Sequence, residues 1–335
     1  MNASTGFVSK LTSDNGINYL NIGLMIISLV LAYIIPFELF LFSYAVLGPL
    51  HYLTEISWLE KKNFFVKSKK DIWLFVVLVL FITVGLFDSQ SKANFFLGSF
   101  IFSGFIYALM ILYVEKIALK LVLVLFTFIF SILFKLNTYP GFLFLFFAVW
   151  LPTIIHVFVF TGAFILFGAL KNKSKSGFLS LIVFVTCALT FFLYVPDVQL
   201  FFVSDYVKKA YSFFRVVNTS LYSLFGFGTL RVDDAAIYFD SNAIAIMRFI
   251  AFAYTYHYLN WFSKTSVIKW NNISKKRMGV ILLLWVVSVL LYIYSYKVGF
   301  YALFLLSMLH VFFEFPLNHQ TFIGIGKEVK KITSR

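Results

Sequence analysis

Long apolar runs, separated by short polar stretches, occupy most of the chain from residue 17 onward. They fall at roughly 17–35, 37–59, 72–88, 94–113, 117–134, 141–170, 177–195, 241–263, 279–296 and 299–317. Most approach about 20 residues, the length at which a helix rising about 1.5 Å per residue crosses a hydrocarbon core about 30 Å thick. IWLFVVLVLFITVGLF (72–87) is apolar on every face. It has neither the one-sided stripe of a surface helix nor the alternation of a barrel strand. The pattern predicts an all-α, polytopic membrane protein with about ten transmembrane helices. Pro36 falls between the first two runs, where it cannot continue a helix and turns the chain.

One stretch breaks the series of hairpins. Residues 196–240 are too polar to span a membrane and too long for a turn. VQLFFVSDYVKKAYSFFRVV (198–217) mixes apolar and basic positions at helical spacing. It predicts an amphipathic helix outside the cytoplasm, lying in the outer interface or packed as a cap on the loops. The expected organisation is a short N-terminal segment (1–16), a bundle of seven spans (17–195), the extracytoplasmic amphipathic segment (196–240), three more spans (241–320) and a basic tail (321–335).

Composition supports the membrane reading. Hydrophobic residues make up 61% of the chain and charged ones 13%, against about 45–50% and 25% in soluble domains. A soluble fold could not cover so much apolar surface. The net charge of +14 would suggest nucleic acid in a soluble protein, but here the basic residues gather in loops. Lys61, Lys62, Lys67, Lys69 and Lys70 follow the second run, and Lys116 and Lys120 lie near the junction of the fourth and fifth. Lys171, Lys173 and Lys175 follow the sixth; Lys264, Lys269, Lys275, Lys276 and Arg277 the eighth; Lys327, Lys330, Lys331 and Arg335 the tenth. The intervening connections DSQSK (88–92), KLNTYPG (135–141), VPD (195–197) and KVG (297–299) are poor in charge. By the positive-inside rule this alternation places both termini in the cytoplasm, and it argues against a nucleic-acid partner. Cys187, the single cysteine, lies in an apolar run and can form no internal disulfide. Residues 1–16 lack the features of a cleavable signal. The expected location is a cell membrane, crossed many times, as in the inner membrane of a bacterium. Arg248, about two turns into its run, is expected to reach outward to Asp233, Asp234 and Asp240.

Chemistry-bearing residues are few. Of five histidines, His51, His156, His257 and His310 fall inside apolar runs, and His319 follows just past Pro316. Counting 1.5 Å per residue from the basic end of each run puts His51 about 13 Å, His257 about 10 Å and His310 about 15 Å deep, with His156 higher at about 22 Å. His51 with Glu55, and His310 with Glu314, are four apart and share a helix face. The HYL of His51 recurs in HYLNW at His257, which adds Asn260 and Trp261. Ionisable groups in the bilayer core are costly unless paired, hydrated or bound to a metal. Helical bundles build metal sites from such inward-facing His and Glu. The expected ligands are His51, His257 and His310, with His156 as a further candidate. Glu55 and Glu314 are expected as ligands or as groups that orient the imidazoles, and Asn260 as a donor to bound ligand.

Imidazole and carboxylate without thiolate suit iron first, then zinc or manganese. The clustered HxxxH and HxxHH boxes of membrane desaturases and hydroxylases are absent, as is HExxH. Single histidines on several spans give a layout similar to that of the microbial membrane carotenoid dioxygenases, though none of their motifs aligns on this chain. The leading expectation is a metal-dependent membrane oxidoreductase, using non-haem iron and oxygen on a hydrophobic small molecule such as a lipid, isoprenoid or carotenoid. The alternatives are a proton-coupled transporter using the His/Glu pairs and a b-type haem protein with His51 and His257 as axial ligands.

Overall fold

A computed structural model describes residues 14–62, 69–88, 90–138, 141–196 and 202–334. Every regular element among them is helical. The principal helices are α1 (Asp14–Ile34), α2 (Pro36–Lys62), α4 to α6 (Lys69–Phe87, Leu97–Tyr113, Ile117–Leu133) and α7 (Phe142–Asn172), where α3 is the short Lys92–Phe95 turn. They continue with α8 (Lys175–Leu193), α9 (Asp205–Tyr211), α10 (Arg215–Leu224), α11 (Ser241–Ser263), α12 (Lys275–Tyr294) and α13 (Tyr296–Thr333). Six of them, α1, α2, α7, α8, α12 and α13, are long and apolar enough to cross a membrane. The apolar parts of α4, α5 and α6 are shorter.

Local chemistry explains where these helices start. Pro36 opens α2 at its first position, where no amide is needed. Ser174, Ser204, Asp240 and Ser274 cap α8, α9, α11 and α12, each accepting a backbone N–H three residues on, which satisfies a donor the helix leaves open. Two helices change pitch inside. Ser43–Leu47 of α2 and Leu145–Phe160 of α7 are π-helical, and Pro152 lies within the second. Such wider turns accommodate a residue that cannot join the α-ladder.

The chain forms two compact units. The first comprises Met1–His51, Val157–Ile273 and Thr321–Arg335, the second Tyr52–His156 and Ser274–Gln320.

Helix α11 is the core of the first unit, buried without a break from Ala243 to Tyr258. Several of its polar side chains are satisfied by neighbouring helices. Thr255 Oγ1 lies 2.8 Å from Ser43 Oγ, and the Tyr256 hydroxyl donates to Asn21 Oδ1 at 3.0 Å. Helices α9 and α10 and the turn Ser212–Phe214 between them bury Val207, Ala210, Tyr211, Phe214, Val217 and Leu221. Phe214 meets Phe40 edge-on with ring centres 4.8 Å apart, and Tyr211 meets Phe37 at 5.0 Å. These positions pack on α2, while Phe202 and Tyr206 are exposed; residues 198–201 of the amphipathic stretch lie outside the described residues.

In the second unit α4, α5 and α6 pack in sequence, and Phe312 of α13 meets Phe105 at 5.0 Å. Gly104 makes room for the Phe312 ring, which a Cβ there would strike. Arg277 pairs with Glu60 and donates to the Ser57 carbonyl at 3.3 Å. A second ion pair is fully internal. Lys120 Nζ donates to Asp71 Oδ1 at 2.6 Å with the two side chains 1% and 0% exposed, and the Tyr107 hydroxyl donates to the same oxygen at 3.0 Å.

Three sequence expectations change here. Lys120 is not a loop charge; its stem lies along α6 and its ammonium is held inside by Asp71. Helix α13 does not end near residue 317 but runs on through Pro316 to Thr333, with Lys331 and Glu328 paired at 2.6 Å in its last turns. Arg248 does not reach the acidic cluster, because each of those carboxylates serves its own surroundings. Asp233 pairs with Arg231 at 2.9 Å, and Asp234 and Asp240 accept backbone N–H groups at 2.9 Å.

Removing one partner of a buried ion pair leaves the other charge uncompensated, at a cost of about 3–5 kcal/mol. Lys120→Met should lower the thermal unfolding midpoint of the detergent-purified protein sharply. Adding Asp71→Asn to it should recover much of the loss. Equal midpoints for wild type and Lys120→Met would show that the pair contributes nothing.

Candidate metal centre

The embedded histidines meet in pairs. In the first unit, His51 of α2 and His257 of α11 turn their Nε2 atoms toward one another, 3.1 Å apart, with the rings near perpendicular. Thr161, at the start of the α-helical part of α7, stands 2.8 Å from His257 Nδ1. Tyr258 and Trp261 flank the His51 ring at 5.1 and 5.6 Å between centres. All of these side chains are buried. Elsewhere along the α2–α11 contact, Ser43 Oγ meets Thr255 Oγ1.

In the second unit, His156 of α7 faces His310 of α13, Nε2 to Nε2 at 3.2 Å. Glu314, one turn after His310, places Oε2 3.4 Å from His156 Nε2. One donor atom from each of His156, His310 and Glu314 lies within 4.8 Å of the others. His310 Nδ1 is bonded to the Ser307 carbonyl. A carbonyl only accepts, so Nδ1 carries the hydrogen and the Nε2 lone pair of the neutral ring is directed at His156. Fixing one ring nitrogen to define the other as ligand is how metal-binding histidines are oriented. Tyr52 lies beside His310, ring centres 5.7 Å apart. Glu55 and Glu314 are both buried, and a buried carboxylate is stabilised by a proton or a cation.

These spacings suit either a hydrogen bond or two donors to one ion: with metal–nitrogen bonds of about 2.0–2.1 Å, ligands at about 90–110° stand about 2.8–3.4 Å apart.

Set against the sequence expectations, the structure brings His51 to His257, and His156 to His310 and Glu314. His156 is not a layer above His310. The depth estimate for His310 took the helix to end after Pro316, whereas α13 continues. Measured from Lys327, His310 is about 26 Å deep, close to the 22 Å of His156. Asn260 Oδ1 accepts from the Tyr256 hydroxyl, one turn back on α11, at 3.4 Å. His319 is bonded to the Tyr113 hydroxyl at 2.7 Å. The groups that orient the rings, Thr161 and the Ser307 carbonyl, escaped the sequence reading. A backbone acceptor leaves no trace in sequence, and Thr161 was legible only as a polar residue inside an apolar run.

No protein-family model, curated protein or solved structure matches the chain. The functional reading therefore rests on the site alone.

Removing the Thr161 hydroxyl takes a buried partner from His257 Nδ1, a loss of about 1–3 kcal/mol. Thr161→Val should lower the unfolding midpoint, while Thr161→Ser should restore it. If Val and Ser behave alike, the hydroxyl is not holding the ring.

Proposed function

We propose that this chain is a metal-dependent membrane oxidoreductase that acts on a lipophilic small molecule with oxygen at a non-haem iron. The observation that carries the reading is the donor set His156, His310 and Glu314, two imidazoles and one carboxylate. That combination, with positions left open, is the ligand type of non-haem Fe(II) oxygenases. Zinc or manganese is the next choice. When bound, the metal would supply a Lewis acid and a site for oxygen. The chain's own contribution is to hold the donors. The Ser307 carbonyl fixes the His310 tautomer, and α13 sets Glu314 one turn away on the same face. Glu55 would share the charge of the site, and Tyr52 would flank it. His51 and His257 offer a second imidazole pair with the same spacing, and Asn260 a nearby amide.

The membrane setting supports a lipophilic substrate, because an apolar bundle admits such molecules from the bilayer. In this reading the ten apolar segments are all spans, both termini are cytoplasmic, and the protein is a multi-pass component of a bacterial inner membrane. The alternation of basic and neutral loops supports that topology, with Lys120 withdrawn from the count.

Elemental analysis tests the metal. Protein reconstituted anaerobically with Fe(II) should carry about one iron per chain at this site. His310→Ala and Glu314→Ala should lose most of it, since ligand shells lose about 10–100-fold in affinity even when only an orienting group is removed. His51→Ala and His257→Ala report whether the second pair also binds. Oxygen uptake with carotenoid, isoprenoid and fatty-acid substrates then tests the reaction. A metal-free wild type whose unfolding midpoint ignores both iron and chelator would falsify the reading, leaving imidazole–imidazole hydrogen bonds as the whole role of the cluster.

A further inference from the structure

Arg248 is the one arginine of α11 and is only 1% exposed. Its Nε and Nη1 atoms are buried and have no hydrogen-bond partner among the described residues. Its guanidinium carbon sits 5.0 Å from the centre of the Tyr33 ring. The Tyr33 hydroxyl is already committed, donating to the carbonyls of Thr190 at 2.8 Å and Tyr194 at 3.1 Å. The acidic residues nearest in sequence, Asp233, Asp234 and Asp240, are bonded elsewhere. The cation thus stands where α1, α8 and α11 pack together in the first unit, at the ends of α1 and α8.

A guanidinium presents five donors and stays charged. Buried in an apolar bundle it needs a counter-charge, or it costs several kcal/mol. A cation–π contact returns about 2 kcal/mol at best. The planar fork of arginine matches the oxygens of phosphate, and basic pockets between membrane helices hold lipid head groups. We infer that Arg248, seated against Tyr33, is a binding site for a phosphate oxyanion, carried by an acidic phospholipid head group or present as free phosphate. The site stands on residues of the first unit alone and does not depend on the metal reading.

The test uses the full chain, delipidated in a neutral maltoside detergent. Native mass spectrometry follows binding of dioleoyl phosphatidylglycerol and dioleoyl phosphatidylcholine, and a thermal-shift series follows inorganic phosphate. The expected result is one equivalent of phosphatidylglycerol, held at least tenfold more tightly than phosphatidylcholine, with the preference lost in Arg248→Gln. Stabilisation by inorganic phosphate that is also lost in Arg248→Gln assigns the site to the free anion, and its absence assigns it to the lipid. Arg248→Lys, which keeps the charge without the planar fork, should retain part of the preference. The lipid selectivity of the wild type stands as a readout even if Arg248→Gln fails to fold. Equal binding of both lipids by wild type, with no response to phosphate, overturns the proposal.

Discussion

The contact on which the site depends is the approach of two imidazoles, Nε2 to Nε2, inside an apolar helical bundle. It occurs twice, at His51–His257 and at His156–His310. Two neutral rings in this arrangement can share one hydrogen, or their lone pairs can converge on a cation. In each pair one ring has its Nδ1 beside an oxygen, from Thr161 or Ser307. The Ser307 carbonyl leaves its ring a defined lone pair. Glu314 then turns the second pair into a donor triangle.

The same constraint runs through the rest of the fold. A polar group in an apolar interior is stable only with a partner, and the helices supply partners laterally. Asp71 and Tyr107 hold Lys120, Asn21 accepts from Tyr256, and Ser43 meets Thr255. These cross-helix bonds set which helices are neighbours and at what register, because the apolar surfaces alone would pack in many ways. Against that background stand the guanidinium nitrogens of Arg248, which have no partner among the described residues.

How far the site was legible depended on how far each inference stayed local. The i, i+4 pairs His51/Glu55 and His310/Glu314 follow from helical geometry, and both carboxylates are buried as that spacing suggested. Depth was less secure. It needed the position of a helix end, and Pro316 is a poor guide to one when the residues beyond it continue the helix. That single error separated His156 from His310. Lys120 misled for a related reason. A lysine next to a loop resembles a topological charge unless its partner is known, and Asp71 lies 49 residues away.

What the sequence determined by itself was the helical class and the position of the apolar segments, along with the short list of residues able to do chemistry. Each of these follows from local quantities: the rise of a helix, the length of an apolar run, the energetic penalty of a charge in hydrocarbon. The tertiary structure alone decided which imidazoles meet, which nitrogen of His310 faces His156, and which arginine nitrogens lack a partner among the described residues. Those outcomes turn on contacts between segments far apart in the chain, and a spacing of 3 Å between two ring nitrogens has no signature in the order of residues.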